Sequence, residues 1–515
     1  MNLCKWGPVR GLLCERKVKN MEKDLLRFPV EEYTVKEALA KTDSGVKKIT
    51  YRAYEHIQYV EKPVDVEYQS LDVWVPETID GETVDMTNAP ILFVVGVGGY
   101  MSCNNYHKGM MMPPGPGGPG GPGGPGGPGG PGGPGGPALP GLGGAEGPNE
   151  NKNLAMAYGF VVVAPGCRGR DCQRPDGTYF GKAPAAIVDL KAAVRYIRHN
   201  QGILPGNPER ILSTGGSAGG ALSCLLAASG NDPQYDSYLR AIGAAEERDD
   251  IFASASYSPI LNLENADGAY EWQYGKIPCG GAATGPIKIV PGLVDQDLSA
   301  QLQAIFADYQ NGLKQQGRDG FGTITADNLA DYILKFYLLP EATRYLLALD
   351  QEERTAYLRK EPWIHFDGEK ADFTYDAFLA HCGRMKGLPA FDDFAKEMAE
   401  PDLFGTETVK TRHFTKFSLQ HDPSETAGDL SDDLKVIINL MNPMYFALKN
   451  NPGCAPHWWM RYGAVDKDTS QAVFVDIATA LENIGKDVNA RLIWDGGHCA
   501  DDDPDGLMRW MKAMS

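Results

Sequence analysis

Ser217, set in Gly215-Gly216-Ser217-Ala218-Gly219, has the surroundings of a nucleophile. The β-favouring pair Ile211-Leu212 enters the motif, and the small-residue helical run Ala218-Gly-Gly-Ala-Leu-Ser-Cys-Leu-Leu-Ala-Ala leaves it. Strand, sharp turn and helix form the context that a G-x-S-x-G elbow needs, because the strained turn lifts the hydroxyl above the sheet. The N–H groups that follow, beginning with Ala218, then lie at a helix start where an oxyanion would form. A Gly/Ser-rich βα loop or a phosphate-binding turn is the alternative for such a stretch. No Walker-type Gly-Lys-Ser/Thr follows it.

A serine hydroxyl is a weak nucleophile until a base takes its proton and an acid orients that base. Of the nine histidines, His498 stands alone on a Gly-rich loop, Asp495-Gly-Gly-His498, after an apolar run at 488–494. The acid is Asp466 or Asp468, both on the loop after the preceding strand pattern and two residues apart. Asp466 is nearer the strand end; Asp468 could instead cap the next helix or touch substrate, and Asp495 is a weaker third choice. The second half of an oxyanion hole is expected at Gly98-Gly99-Tyr100, which ends the apolar run at 89–95, with Gly99 preferred to Gly98. No H-E-x-x-H cluster supports a zinc hydrolase, and Gly96-Val-Gly98-Gly99 does not complete a dinucleotide fingerprint. The residues alone therefore give an esterase mechanism through an acyl-enzyme, with no cofactor and no metal.

These groups have to be positioned by sheet ends. Alternation from Lys48 to Glu77, at Ile49-Tyr51, Ile57-Tyr59-Val60 and Tyr68-Leu71-Val73-Val75, predicts strands of an antiparallel meander. Continuous apolar runs at 89–95, 158–164 and 252–260 predict strands buried on both faces. A crossover helix is expected over 185–199, from apolar residues at helical spacing. After a long, polar-aromatic, mostly helical stretch the rhythm resumes with strand 457–463, helix 471–484, strand 488–494 and helix 506–514. The chain order Ser…Asp…His on alternating elements predicts an α/β-hydrolase fold, a mostly parallel central sheet with a large, mainly helical lid insertion. The expected organisation is a lead-in over 1–47, a core over 48–263, a lid over 264–440 and the rest of the core over 441–515.

A net charge of −18 argues against nucleic acid and anionic membrane surfaces as partners. The ten cysteines are scattered, with no C-x-x-C, so reduced thiols rather than a disulfide scaffold are expected. The first residues carry no sustained apolar segment, which points to a cytoplasmic location without a signal peptide; Met21 is an equally good initiator. Residues 113–137 repeat Pro and Gly, with glycine at every third position. A polyproline-biased surface insertion is the expected state of this tract, near the mouth of the site, with a collagen-like helix as its remote alternative.

From about Ile49 onward the chain resembles the bacterial tannases, α/β-hydrolases that cleave galloyl esters. The resemblance rests on Gly98-Gly99-Tyr100, the elbow, Asp466-Lys-Asp468-Thr-Ser and Trp494-Asp-Gly-Gly-His498. The stretch Lys386-Gly-Leu-Pro-Ala-Phe-Asp…Glu400-Pro-Asp-Leu-Phe-Gly405 adds its most specific part, while the Pro/Gly tract is foreign to it. The resemblance implies that Asp466 is the catalytic acid and that Asp468, Lys386 and Glu400 hold the phenolic hydroxyls of the acyl group. Without it, Lys386 and Glu400 read as a solvated lid face. It implies a small phenolic ester as substrate, with feruloyl, chlorogenate or general aryl esters as the rival acyl class and a non-catalytic scaffold assembled through the tract as a remote one. Fungal relatives pair a cysteine before the serine with one after the histidine; Gly216 precedes Ser217 here, so Cys499 has no such partner.

Overall fold

The computed structural model describes residues 24–104, 151–280, 291–426 and 428–514. The Pro/Gly tract and the alternative starts of the chain lie outside the described residues. The path of the main sheet is β1 Thr34–Thr42, β2 Gly45–Gln58, β3 Ser70–Ile79, β4 Ile91–Val94, β5 Val161–Pro165, β6 Ile211–Gly216, β7 Ala253–Tyr257, β8 His457–Gly463 and β9 Asp487–Ile493. Their order is β1-β2-β3-β5-β4-β6-β7-β8-β9, with a two-residue strand, Glu82–Thr83, paired to β3 off that path. The meander β1 to β3 is antiparallel and meets β5 antiparallel; from β5 to β9 every pairing is parallel. This is the α/β-hydrolase fold.

The helices that bear on the site are α1 Asn151–Ala157, α2 Ala185–His199, α3 Ala218–Ala228, α4 Leu263–Tyr274, α5 Ala399–Leu403, α6 Gln471–Asn483 and α7 Pro504–Ala513. Strand residues divide between the two faces by their period of two. Ile91, Phe93, Val161, Val163 and Ile211 join the apolar residues of α2, α3 and α6 on one side. Leu92, Val162 and Leu212 meet Leu154 of α1 and Met508 and Met511 of α7 on the other. Burial on both faces is what the unbroken apolar runs encode.

Two details depart from the alternation in the sequence. Ile49-Tyr51 and Ile57-Val60 do not mark separate strands: one long strand, β2, carries the first and reaches Gln58, with an irregularity between Tyr54 and Ile57 where His56 takes φ +59°. A bulge of this kind resets the pleat and looks like a turn in the sequence. The sheet also begins before residue 48, because β1 pairs along its whole length with β2. Most of β1 is exposed, with Val35 and Leu39 facing solvent, so its apolar pattern is weak. Between β7 and β8 no described residue joins the main sheet; the insertion carries helices and two short ribbons, Gln316–Gly317 with Gly322–Thr323 and His365–Phe366 with Ala371–Asp372. Among the described residues no helix is long and apolar enough to cross a membrane.

A buried ion pair holds the segment after β5 against α2. Asp189 is fully buried and accepts from the Arg168 backbone N–H at 2.9 Å, Nε at 2.9 Å and Nη2 at 2.8 Å, and from Gln69 Nε2 at 2.8 Å. Removing the carboxylate strands a guanidinium in the interior. Asp189→Leu is expected to lower the urea-unfolding midpoint by the equivalent of about 3–5 kcal/mol, and a second change, Arg168→Met, to recover part of that loss.

Candidate active site

Ser217 ends β6 and begins α3 in a left-handed conformation, φ +58° and ψ −126°. Such a geometry costs a non-glycine residue free energy and persists only where neighbours enforce it. Its N–H donates to the Tyr257 carbonyl at 2.9 Å, and its own carbonyl accepts from Ala221 at 3.0 Å. Gly219 brings the first turn of α3 onto the chain after β4: a Cβ there would lie 2.7 Å from the carbonyl oxygens of both Val95 and Val97. The elbow serine and the Gly98-Gly99 turn are therefore neighbours by packing. Among the described residues, the N–H groups of Gly98, Gly99 and Ala218 donate to no protein acceptor. They remain free to donate to an acceptor outside the chain.

The histidine loop closes over the same place. Cys499 donates its backbone N–H to Ser258 Oγ at 2.9 Å and its thiol to the Tyr257 carbonyl at 3.7 Å. One carbonyl at the end of β7 thus serves both the Ser217 N–H and the residue after His498. Two further contacts set the histidine beside the acid loop. Val465 donates to the Gly496 carbonyl at 3.1 Å, and Gly463 lets the loops touch, since a Cβ there would lie 2.0 Å from the Gly497 oxygen.

His498 Nδ1 is 2.8 Å from Asp466 Oδ2 and 3.3 Å from Asp468 Oδ2. Asp466 is buried and its other oxygen accepts from the Asp468 N–H at 2.9 Å, whereas Asp468 is partly exposed. Asp466 is the better-held partner of the two. Asp495 faces elsewhere, accepting from the Tyr357 hydroxyl at 2.7 Å. Burial works against a proton on His498, but the bond to Asp466, the Cys499 thiol and the Asp466 charge outweigh it and hold the imidazole well above its ordinary value. The side-chain donor atoms of Asp466, Asp468 and His498 lie within 4.8 Å of one another, a spacing that could also admit a cation.

The insertion supplies the remaining groups. Lys386 is buried, with Nζ 3.8 Å from Asp468 Oδ1 and 3.9 Å from the Phe391 ring centroid. Its main chain is fixed by α4: the Tyr270 hydroxyl accepts from the Lys386 N–H at 3.0 Å and donates to the Lys467 carbonyl at 3.0 Å. Arg384, fully buried against Glu271, donates Nε to the Lys386 carbonyl at 2.8 Å. Glu400 on α5 is buried, and among the described residues its Oε2 has no partner. Burial pushes its carboxyl above the ordinary range, against the pull of the Lys386 charge. Lys386 and Glu400 are not a solvated face. A further group that no local motif marks is Arg170, whose Nε donates to the Gly99 carbonyl at 2.8 Å. The sequence there offers only a basic pair, Arg168 and Arg170, placed directly after a buried strand.

The eight cysteines among the described residues are free thiols, Cys499 included. A family model described as BD-FAE matches residues 174–271, which span the elbow. Esterase LipQ of Mycobacterium tuberculosis is 38% identical over 88 residues, 17% of this chain and 20% of that protein, so the chain spans a minor part of that relative. Solved structures match nearly throughout. The Fusobacterium nucleatum tannase is 34% identical, with TM-score 0.76, covering 95% of this chain and 99% of that one. The Lactobacillus plantarum tannin acyl hydrolase is 32% identical, with TM-score 0.77, covering 95% and 98%. A tannin acyl hydrolase in complex with ethyl gallate is 33% identical, with TM-score 0.77 and the same coverage.

The Asp466–His498 bond makes a prediction in both rate and pH. Asp466→Asn is expected to lower kcat for ester hydrolysis by about 10³- to 10⁴-fold while leaving the far-UV circular dichroism unchanged. A base acts when neutral, so an imidazole held above its ordinary value gives wild type an acidic limb above about pH 6.5, and the substitution should move that limb down. A variant with wild-type kcat and an unmoved limb would show that Asp466 does not orient the base.

Proposed function

The chain belongs to the bacterial tannase family of carboxylic ester hydrolases, and from that premise we propose that it cleaves esters of gallic and related hydroxybenzoic acids using Ser217, His498 and Asp466. The observation that carries this reading is the side-chain line from His498 through Asp468 to Lys386, with contacts of 3.3 and 3.8 Å. It puts groups suited to phenolic hydroxyls directly beside the candidate base.

In the proposed reaction Ser217 Oγ attacks the ester carbonyl as His498 Nε2 takes its proton. Asp466 keeps Nδ1 in the correct tautomer and stabilises the imidazolium. The N–H groups of Gly99 and Ala218, with Gly98 as a further donor, receive the developing oxyanion. Collapse of that intermediate breaks the ester C–O bond, and His498 returns the proton to the departing alcohol. Water, deprotonated by the same imidazole, then releases the acid and restores Ser217.

The acyl ring is recognised by complementary donors. Carboxylates of Asp468 and Glu400 accept from phenol O–H groups, and Lys386 donates to a phenolic oxygen. Among the described residues Glu400 Oε2 has no partner, and such a ring would supply it with a donor. Leaving such groups unpaired is costly, so acids lacking the hydroxyls are strongly disfavoured. The insertion over 264–440 acts in this reading as the cap that closes the site from one side. The related tannin acyl hydrolase bound to ethyl gallate supports the choice of acyl group.

The test compares methyl gallate, methyl ferulate and p-nitrophenyl butyrate as substrates of wild type, Ser217→Ala, Lys386→Met and Glu400→Gln. Gallate is expected to be preferred, and Ser217→Ala to abolish turnover of all three. The two recognition variants should lose about 10- to 100-fold in kcat/KM on gallate, with butyrate turnover nearly unchanged. Equal rates on all three esters in wild type would retain the esterase and discard the galloyl site.

A further inference from the structure

The turn after β4 carries more strain than its glycines account for. Met101 donates to the Gly98 carbonyl at 3.0 Å, closing a β-turn whose two central residues both have left-handed φ, Gly99 at +55° and Tyr100 at +56°. Glycine adopts that geometry freely, but a tyrosine does not, and a non-glycine residue there persists only when its surroundings over-determine it. The Tyr100 hydroxyl supplies one tether, donating to the Ile260 carbonyl at 2.7 Å. Arg170 supplies the others. Its backbone N–H donates to the Tyr100 carbonyl at 3.0 Å, its Nε to the Gly99 carbonyl at 2.8 Å, and its Nη2 reaches Met101 Sδ at 3.4 Å. Both free carbonyls of the turn are thereby committed to one residue. The N–H groups of Gly99 and Tyr100, among the described residues, donate to no protein acceptor.

The same guanidinium is anchored from the other side. Arg170 Nη1 is 2.6 Å from Asp402 Oδ2, and Asp402 Oδ1 pairs closely with Lys182, whose Nζ also donates to the Arg170 carbonyl at 3.0 Å. Asp402 lies on α5, two residues after Glu400, and the Arg170 charge reaches Glu400 itself. We propose that Arg170 is a positioning residue: it holds the Gly98–Met101 turn in the orientation that presents its N–H groups to the oxyanion, and it fixes that turn to the helix that carries Glu400. The inference rests on the reading of Gly99 as an oxyanion donor, and it holds for any acyl group. An oxyanion donor earns its effect through pre-set geometry, so a loosened turn weakens the transition state more than the ground state.

The variants are Arg170→Met, Arg170→Lys and Asp402→Asn, each assayed on methyl gallate and p-nitrophenyl butyrate with active sites counted by a serine-directed phosphonate. Arg170→Met is expected to lower kcat per titrated site by about 10- to 100-fold on both esters, with KM changed less than about threefold. Arg170→Lys, which keeps the charge but carries all its donors on one nitrogen and cannot span the same acceptors, should restore part of the loss. Asp402→Asn keeps the shape and removes the anchoring charge, and should show a smaller kcat loss of the same kind; it decides the matter if Arg170→Met does not fold. A purely structural role would reduce the titratable fraction and the melting temperature while kcat per site stayed at the wild-type value, and that result would overturn the proposal. Loss on butyrate together with loss on gallate separates this inference from the galloyl reading, because butyrate has no ring hydroxyls to recognise.

Discussion

Everything in the site depends on an imidazole held at a fixed angle by a buried carboxylate. A histidine on a Gly-rich loop has many orientations, and the proposed chemistry needs the one that turns Nε2 toward the serine. The 2.8 Å bond to Asp466 fixes the Nδ1 side of the ring, and several contacts keep that bond short. Gly463 allows two loops to pack backbone to backbone, Val465 ties one loop to the other, and Tyr274 donates to the Asp466 carbonyl at 3.2 Å. Across the site, Tyr257 offers a single carbonyl to both the elbow and the histidine loop. The ends of β6, β7, β8 and β9 are therefore joined by direct hydrogen bonds or backbone contact, which is how a parallel sheet converts strand register into side-chain geometry.

A second consequence, on the proposed reading, is that recognition and chemistry share one carboxylate. Asp468 touches both His498 and Lys386, so a charge proposed to bind ring hydroxyls also lies in the field of the proposed base. Burying Lys386 and Glu400 is expensive in isolation. It is offset by mutual attraction, by the Phe391 ring under the ammonium and by the Arg384–Glu271 pair, which holds the Lys386 backbone. Helix α4, immediately after β7, is the piece that makes this possible, because Tyr270 bridges Lys386 to the loop of Asp466 and Asp468.

The parts legible in the sequence were those written locally. The elbow, the Gly-Gly turn, Asp-x-Asp and the histidine loop each follow a strand whose apolar run announces it, and Ser470 caps α6 from the position its type suggests. Helix α2 and strand β8 match their expected bounds. What the sequence hid is long-range or locally ambiguous. The burial of Lys386 and Glu400 depends on residues more than a hundred positions away, and a charged residue carries no local sign that it is covered. Strand β1 has a solvent-facing pattern, and the bulge at His56 breaks the alternation of β2. Nothing local marks Arg170 either, since its partners Gly99 and Asp402 come from distant segments.

The most direct measurement of the central claim is to quench turnover of methyl gallate within milliseconds, digest the protein and map the acylated peptide by mass spectrometry. The account predicts a galloyl group on the peptide containing Ser217, accumulating further in a His498→Ala background only where residual attack occurs and absent from Ser217→Ala. A galloyl group on another residue, or hydrolysis that proceeds undiminished in Ser217→Ala, would contradict it.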